Sequence, residues 1–450
     1  MLIVASYAQM TSYKSISSSG VIKRLPWLRV EGQWIVDEYG RRIQLRGAGC
    51  DYYAYGRITT WLPTYINWMK QTGCNVMRLA FCVPGHRVAQ TEYDPEKMDY
   101  VLNLLEQNGL YAVLDCHHYW ATEEVQGWDD VLPKYKQDWI NCWVNIANRY
   151  KNRSVIAMYE LCNEPYGSGG EELRNAYYEC IDAIRATGDN HIICCSIPER
   201  TFIYEADGEP TILTWSSPSQ IRPNMCLNLH NWHSYNPDDW FKDDETKTYN
   251  VAELVASEWL ATATYYREKL GCPIVLGEFG TYNYDLTHPN VREMQLKIQM
   301  AEQLGIPWWT WILDEWIKSA PTYWINFVKQ KLGGAFASSY LPADIPTYQG
   351  FDVHTFPALP FNIWTRINET LSSPYLRGDW NRWGVCFVGL TEGKNVVFTG
   401  PCLLRVQEWG NNTRPFWGII TKDYYVNLTE GQTQTIRPTE GFTMIYAWED

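Results

Sequence analysis

The chain has 450 residues, with 38 basic and 51 acidic side chains, a formal charge of −13 and 46% hydrophobic residues. The acidic excess excludes a phosphate-backbone footprint, which needs clustered Lys and Arg, so no nucleic-acid partner is expected. No apolar run approaches the ~18 residues of a membrane span, so no membrane partner is expected, and the ordinary composition excludes bulk disorder. The 23 Trp and 31 Tyr are the compositional signal. They fit a Trp-rich core, and equally a groove of flat amphipathic rings suited to sugar faces.

Residues 1–27 read as an N-terminal tail whose start, Met1 to Ala5, is too short and uncharged for a signal peptide. Residues 28–36 read as a small hairpin closing one end of a barrel. Short apolar runs then alternate with amphipathic helical segments. The runs are residues 43–48, 75–80, 111–115, 156–161, 192–196, 225–230, 274–278 and 307–312. Helices are expected over residues 97–108, 134–150, 171–187, 251–270 and 291–304, with Gly109, Gly188, Gly271 and Gly305 as stops. Eight βα units predict an α/β fold, a (β/α)8 TIM barrel over residues 28–372. A doubly wound sheet is the alternative, but no GxGxxG loop follows the first strand. An irregular stretch, residues 319–360, carries a helix over 323–332, and a helix over 362–371 closes the barrel.

Ser372, Ser373 and Pro374 mark a boundary. Beyond it, β-like runs at residues 384–390, 395–398, 403–406, 418–421, 424–427 and 442–447 predict a small C-terminal all-β sandwich, an accessory domain over 375–450. The 13 cysteines show no CxxC pattern and no zinc spacing. Cys386 and Cys402 flank a predicted hairpin and are candidates to pair.

Barrel chemistry sits at the C-terminal ends of the strands. There the chain places Arg78; Asp115 and His117; Asn163-Glu164-Pro165; His230; Glu278; and Trp311. Each alone is ordinary, a rim charge or a satisfied histidine. Together they form a polar ring with two opposed Glu. Two carboxyls facing a Trp-rich groove suggest glycoside hydrolysis, one protonated as acid, the other ionised. Asn163 suits a bond to a sugar hydroxyl, Arg78 suits holding a nucleophile ionised, and Trp311 suits a stacking floor. Glu160, four residues before Glu164, falls on the barrel-interior face and reads as structural, paired to Arg46 or Arg78. Asp314 and Glu315 are either hydroxyl ligands or loop charges, and Trp120, Trp128, Trp232, Trp240 and Trp316 are candidate stacking residues.

The segments 156–167 and 273–280, with Asn75 to Leu79 and Asp115-Cys116-His117, resemble glycoside hydrolase family 5 of the cellulase, or endo-β-1,4-glucanase, type. The resemblance implies a retaining double displacement on β-1,4-glucan, with Glu164 as acid/base and Glu278 as nucleophile. It implies that Asn163 binds the 2-OH, Arg78 orients and ionises Glu278, and His117 and Trp311 line the cleavage subsite. The family's His-x-Tyr is displaced here. His230 aligns without gaps and puts Trp232 at the Tyr, whereas His233-Ser234-Tyr235 carries the motif three residues on. The reading taken is His230, with Tyr235 as the hydroxyl donor. No metal or organic cofactor is implied. A β-mannanase, another β-glycanase including the endoglycoceramidase type, and a non-catalytic carbohydrate-binding barrel are the alternatives. The expected partner is a β-glucan polysaccharide or oligosaccharide, the expected state a monomer, and the expected location extracellular, because a polymer does not enter cells.

Overall fold

The computed structural model describes residues 24–50, 58–85, 92–118, 128–165, 170–197, 214–215, 217–230, 270–280, 304–311 and 339–341. It also describes residues 263, 266–267, 294–295, 297–298 and 301–302, and the C-terminal segments 386–391, 396–399, 402–409, 420–429, 431–436 and 442–448.

Strands β1 (Leu28–Glu31) and β2 (Trp34–Asp37) form an antiparallel hairpin. Eight parallel strands follow: β3 (Arg46–Cys50), β4 (Val76–Cys82), β5 (Tyr111–His118), β6 (Ile156–Glu160), β7 (Ile192–Ser196), β8 (Met225–His230), β9 (Ile274–Glu278) and β10 (Trp308–Thr310). They close into a barrel in the ring order β10-β3-β4-β5-β6-β7-β8-β9. This is the (β/α)8 barrel that the alternation predicts. Such strands are covered on both faces, which is why they read as continuous apolar runs. Every residue of β4, β7, β8 and β9 is buried.

The covering helices bury one stripe each. In the helix Gly170–Ala186 that stripe is Leu173, Ala176, Tyr177, Cys180, Ile181 and Ile184. The helix Pro95–Gln107 starts at Asp94, whose carboxylate accepts from the backbone N–H groups of Glu96 and Lys97, with Pro95 in the first turn. The hairpin caps the N-terminal end: Leu28 and Ile35 join Val76, Tyr111, Val113, Met158 and Trp309 in one apolar cluster. Asn224 ties it down by accepting from Val30 N–H at 2.7 Å.

Several boundaries differ from the sequence expectation, most by one or two residues; the helix Trp128–Tyr150 starts six residues before the expected 134, and β5 runs three residues past 115. The first barrel strand begins at Arg46, not at residue 43. Ile43 and Gln44 instead pair with the segment at Ser339 and Tyr340, so they belong to the floor. The helix Ile58–Thr72 is the one that the first βα unit requires, but the sequence marks no bounds for it. Its Pro63 and its threonines and aromatics carry poor helix propensity, and packing overrides it. The expected helices over 251–270 and 291–304 are described only in part, and the helix over 362–371 lies outside the described residues.

Beyond the barrel, β11 (Cys386–Thr391), β16 (Phe442–Trp448), β13 (Cys402–Trp409) and β14 (Ile420–Leu428) form an antiparallel sheet in that order, and β12 (Val396–Thr399) pairs with β15 (Thr433–Ile436). The two runs expected at 418–421 and 424–427 are one strand, and β15 was not expected. The candidate pairing of Cys386 with Cys402 is overturned by this order. Strand β16 lies between their strands, so the two backbones stand roughly 10 Å apart, beyond the about 7 Å that a disulfide spans.

Period-2 alternation decides what fills the barrel. Val76, Val113, Met158, Cys194 and Cys226 make an apolar layer. Two residues on, Arg78, Asp115, Glu160, Ser196 and Asn228 make a polar one, all at 0–1% exposure. Glycines make room where the strands crowd. A Cβ on Gly47 would stand 1.7 Å from the Val76 carbonyl oxygen, and one on Gly277 would stand 1.8 Å from Asn228 Oδ1.

Candidate active site

The site is built upward from the buried layer. Arg78, on β4, is fully buried and its guanidinium fork is shared among four groups. Nε and Nη2 donate to the two oxygens of Glu160 at 2.7 and 2.8 Å. Nη2 also donates to Asn163 Oδ1 at 2.7 Å and lies 3.0 Å from Asp115 Oδ2. Nη1 donates to Glu278 Oε2 at 3.0 Å. Three carboxylates around one buried cation satisfy its charge and fix its plane. Glu160 therefore pairs with Arg78 and not with Arg46, which holds Glu302 at 2.8 Å instead.

Above this layer lie the groups that face the groove. Glu164 follows β6 with φ of 39°, a left-handed backbone for a residue before proline, which places strain at a site residue. Its Oε1 meets His230 Nδ1 at 2.7 Å, and the same nitrogen is 3.7 Å from Glu278 Oε2. One donor atom each from Glu164, His230 and Glu278 lies within 4.8 Å of the others. With Arg78 already seated on Glu278, this arrangement reads as a carboxyl pair joined by an imidazole. His117 Nδ1 bonds Asp115 Oδ2 at 2.8 Å, and its ring stacks on Trp311 at 4.6 Å and 4°. The Arg78 guanidinium carbon lies 5.5 Å from the Trp311 ring centre. Gly49 lets the indole in, since a Cβ there would stand 3.1 Å from it.

The charges set opposite tendencies on neighbouring carboxyls. Burial disfavours ionised Glu160, but Arg78 outweighs it and holds this carboxyl well below the usual range. Burial, then the charge of Glu164, push Glu278 up; His230, Arg78 and His117 pull it down without overcoming them. Burial works against a charge on His117, yet Asp115 beside it moves the imidazole up. Burial likewise opposes a charge on His230, while Glu278, Glu160 and Glu164 push it up to about 10.

Seven of the eight site residues read from the sequence thus stand together: Arg78, His117, Asn163, Glu164, His230, Glu278 and Trp311. Tyr235 lies outside the described residues, as do Trp232, His233, Asp314, Glu315, Trp120, Trp240 and Trp316, and Trp128 begins a helix, Trp128–Tyr150. Sequence reasoning missed Ser196 and Asn228, which both donate to Glu160 Oε1, at 3.2 and 2.8 Å. The signal was present: each lies on the inward face of its strand, Asn228 two residues before His230.

The profile of the family described as Cellulase (glycosyl hydrolase family 5) matches residues 36–315. The chain belongs to that family. Its match to Endoglucanase 1 of Ruminococcus albus is 25% identical over 281 residues, 56% of this chain and 66% of that protein. The endoglucanase of Paenibacillus polymyxa is 22% identical over 344 residues, 64% of this chain and 83% of that protein. The match thus spans just under two thirds of the first relative's length. A solved cellulase, Cel5C_n, is 17% identical, covers 73% of this chain and 98% of its own, and superposes with a TM-score of 0.49. The family 5 profile ends shortly after β10, so the C-terminal strands fall outside it.

Proposed function

We propose that the protein is a retaining, endo-acting glycoside hydrolase that cleaves β-1,4-glucan. The observation that carries this reading is the convergence of Glu164 and Glu278 at the open end of the barrel, one carboxylate oxygen of each within 4.8 Å of the other, an approach that favours the closer of the two carboxyl spacings glycosidases use. Retaining enzymes hold their two carboxyls about 5–5.5 Å apart; inverting ones leave about 6.5–9.5 Å for a water. The two endoglucanase relatives favour glucan over mannan.

In the first step the Glu278 carboxylate attacks the anomeric carbon, and the glycosidic C–O bond breaks as Glu164 gives its proton to the departing oxygen. In the second step Glu164 takes a proton from water, the resulting oxygen attacks the glycosyl carbon, and Glu278 leaves as carboxylate. Arg78 holds Glu278 by one bond and sets its orientation. Asn163 has its oxygen committed to Arg78, which turns its NH2 into the donor for the 2-OH. Trp311, backed by the His117 ring, is the floor for the sugar. Tyr235 is the proposed hydroxyl beside the nucleophile. No cofactor enters this scheme.

The rest of the reading follows from the substrate. The partner is a β-glucan chain, the location is extracellular, the protein is a monomer, and residues 375–450 form an accessory sandwich domain. No helix among the described residues is long and apolar enough to cross a membrane. The test is hydrolysis of soluble β-1,4-glucan, with mannan and xylan alongside, for wild type and Glu278→Gln. Rapid viscosity loss on glucan that disappears in the variant is expected. Activity confined to mannan moves the substrate, and an unaffected variant refutes the two-carboxylate reading.

A further inference from the structure

Asn228 stands at the centre of the polar layer, fully buried, with both hydrogens of one nitrogen accounted for. Nδ2 lies 2.8 Å from Glu160 Oε1 and 3.0 Å from His230 Nε2. The nitrogen, not the oxygen, must face Glu160, because Arg78 keeps that carboxylate ionised and a carboxylate only accepts. The second hydrogen of the same NH2 then points at His230 Nε2, which has to accept. An imidazole whose Nε2 accepts carries its proton on Nδ1. His230 Nδ1 faces Glu164 Oε1 at 2.7 Å.

The glycine before Glu278 is a second, independent mark of the same device. A Cβ on Gly277 would fall 1.8–2.2 Å from the Oδ1, Nδ2 and Cγ atoms of Asn228. The backbone of β9 thus leaves a slot into which the amide is pressed, and Oδ1, turned toward it, accepts no hydrogen bond from the described residues.

We propose that Asn228 is a positioning residue for the reaction: its amide bridges Glu160 and His230 and holds His230 as the neutral Nδ1–H tautomer that donates to Glu164. The proposal rests on the reading of Glu164 as acid/base. Its consequence is chemical. A neutral imidazole hydrogen-bonded to Glu164 leaves that carboxyl able to keep the proton it must deliver. An imidazolium in the same place would hold Glu164 ionised. Among the described residues, the charged groups facing His230 are Glu160 from β6, at 3.7 Å, Glu164 from the turn after it, and Glu278 from β9, at 3.7 Å. All three draw a second proton toward the ring and, taken by themselves, would hold it charged at neutral pH; the Asn228 hydrogen occupies the Nε2 lone pair that such a proton needs, and it is this contact that keeps the ring neutral.

Side-chain nitrogen NMR of the full chain, with Asn228→Leu and Gly277→Ala beside wild type, tests this. Wild type at about pH 7 is expected to show His230 protonated on Nδ1 and bare on Nε2. Both variants remove or displace the donor, so both nitrogens become protonated. The alkaline limb of kcat/KM on a cello-oligosaccharide then moves down by about 1–2 pH units, because a cation beside Glu164 lowers its pKa. The loss is smaller on an aryl glycoside whose leaving group needs no proton, a split that mere loosening of the barrel would not produce. A wild-type His230 protonated on both nitrogens in an active enzyme overturns the role of Asn228 and leaves the hydrolase reading standing. A protein with the expected tautomer but no activity on any glycan removes the reaction itself, and the proposal with it. If a variant fails to fold, the wild-type spectrum alone still decides.

Discussion

Replacing Glu160 by Gln tests the electrostatic account of the barrel centre most directly. The carboxylate is fully buried and accepts four hydrogen bonds: two from Arg78, one from Ser196 and one from Asn228. A glutamine keeps the volume, removes the charge, and turns an NH2 against donors. Removing one partner of a buried ion pair costs about 3–5 kcal/mol, since the other charge stays buried. Asp115 and Glu278 still face Arg78, which keeps the cost within that range. At an unfolding entropy of about 2.1 cal/mol/K per residue, a barrel of roughly 300 residues loses about 1.6 °C per kcal/mol, so Tm falls by about 5–8 °C at neutral pH. The pH dependence carries the sharper signature. The folded-state pKa of Glu160 is depressed, so its stabilisation is fully present above the unfolded value of about 4.3 and fades as pH falls below it. The gap in Tm between wild type and Glu160→Gln therefore narrows from about pH 4 downward. Thermal melts followed by circular dichroism at a series of pH values measure this. A Tm loss under about 2 °C, or a gap independent of pH, refutes the reasoning.

Three further outcomes are expected. Asn224 has φ of 56° and its side chain bonds Val30 N–H and the Asn190 carbonyl oxygen; Asn224→Ala should cost about 2–3 kcal/mol in urea unfolding, and Asn224→Gly less, with activity retained because the hairpin is far from the groove. Asp94→Ala removes the cap of the helix Pro95–Gln107 and should cost about 1 kcal/mol by the same measurement. Eleven cysteines are buried, and burial raises the thiols of Cys116, Cys180, Cys194 and Cys195; a thiol reagent should find no more than the two others, Cys386 and Cys402, until the chain is unfolded.

The amino-acid sequence by itself determined the barrel and the residues delivered to its open end. Strands Ile192–Ser196, Met225–His230 and Ile274–Glu278 were legible to the residue, because a strand covered on both faces is an apolar run with sharp ends. The place of Glu160 inside the barrel followed from period 2 alone. The helix Ile58–Thr72 was not legible, since its proline and β-branched residues speak against a helix that packing imposes. Nor was the division of Arg78 among Asp115, Glu160 and Glu278, or the seat of Asn228 between Glu160 and His230. Those are settled by distances of about 3 Å between atoms of strands far apart in the chain, and by the burial that strengthens each charge there. Sequence order fixes which groups arrive; only closure of the barrel decides which of them hold a proton.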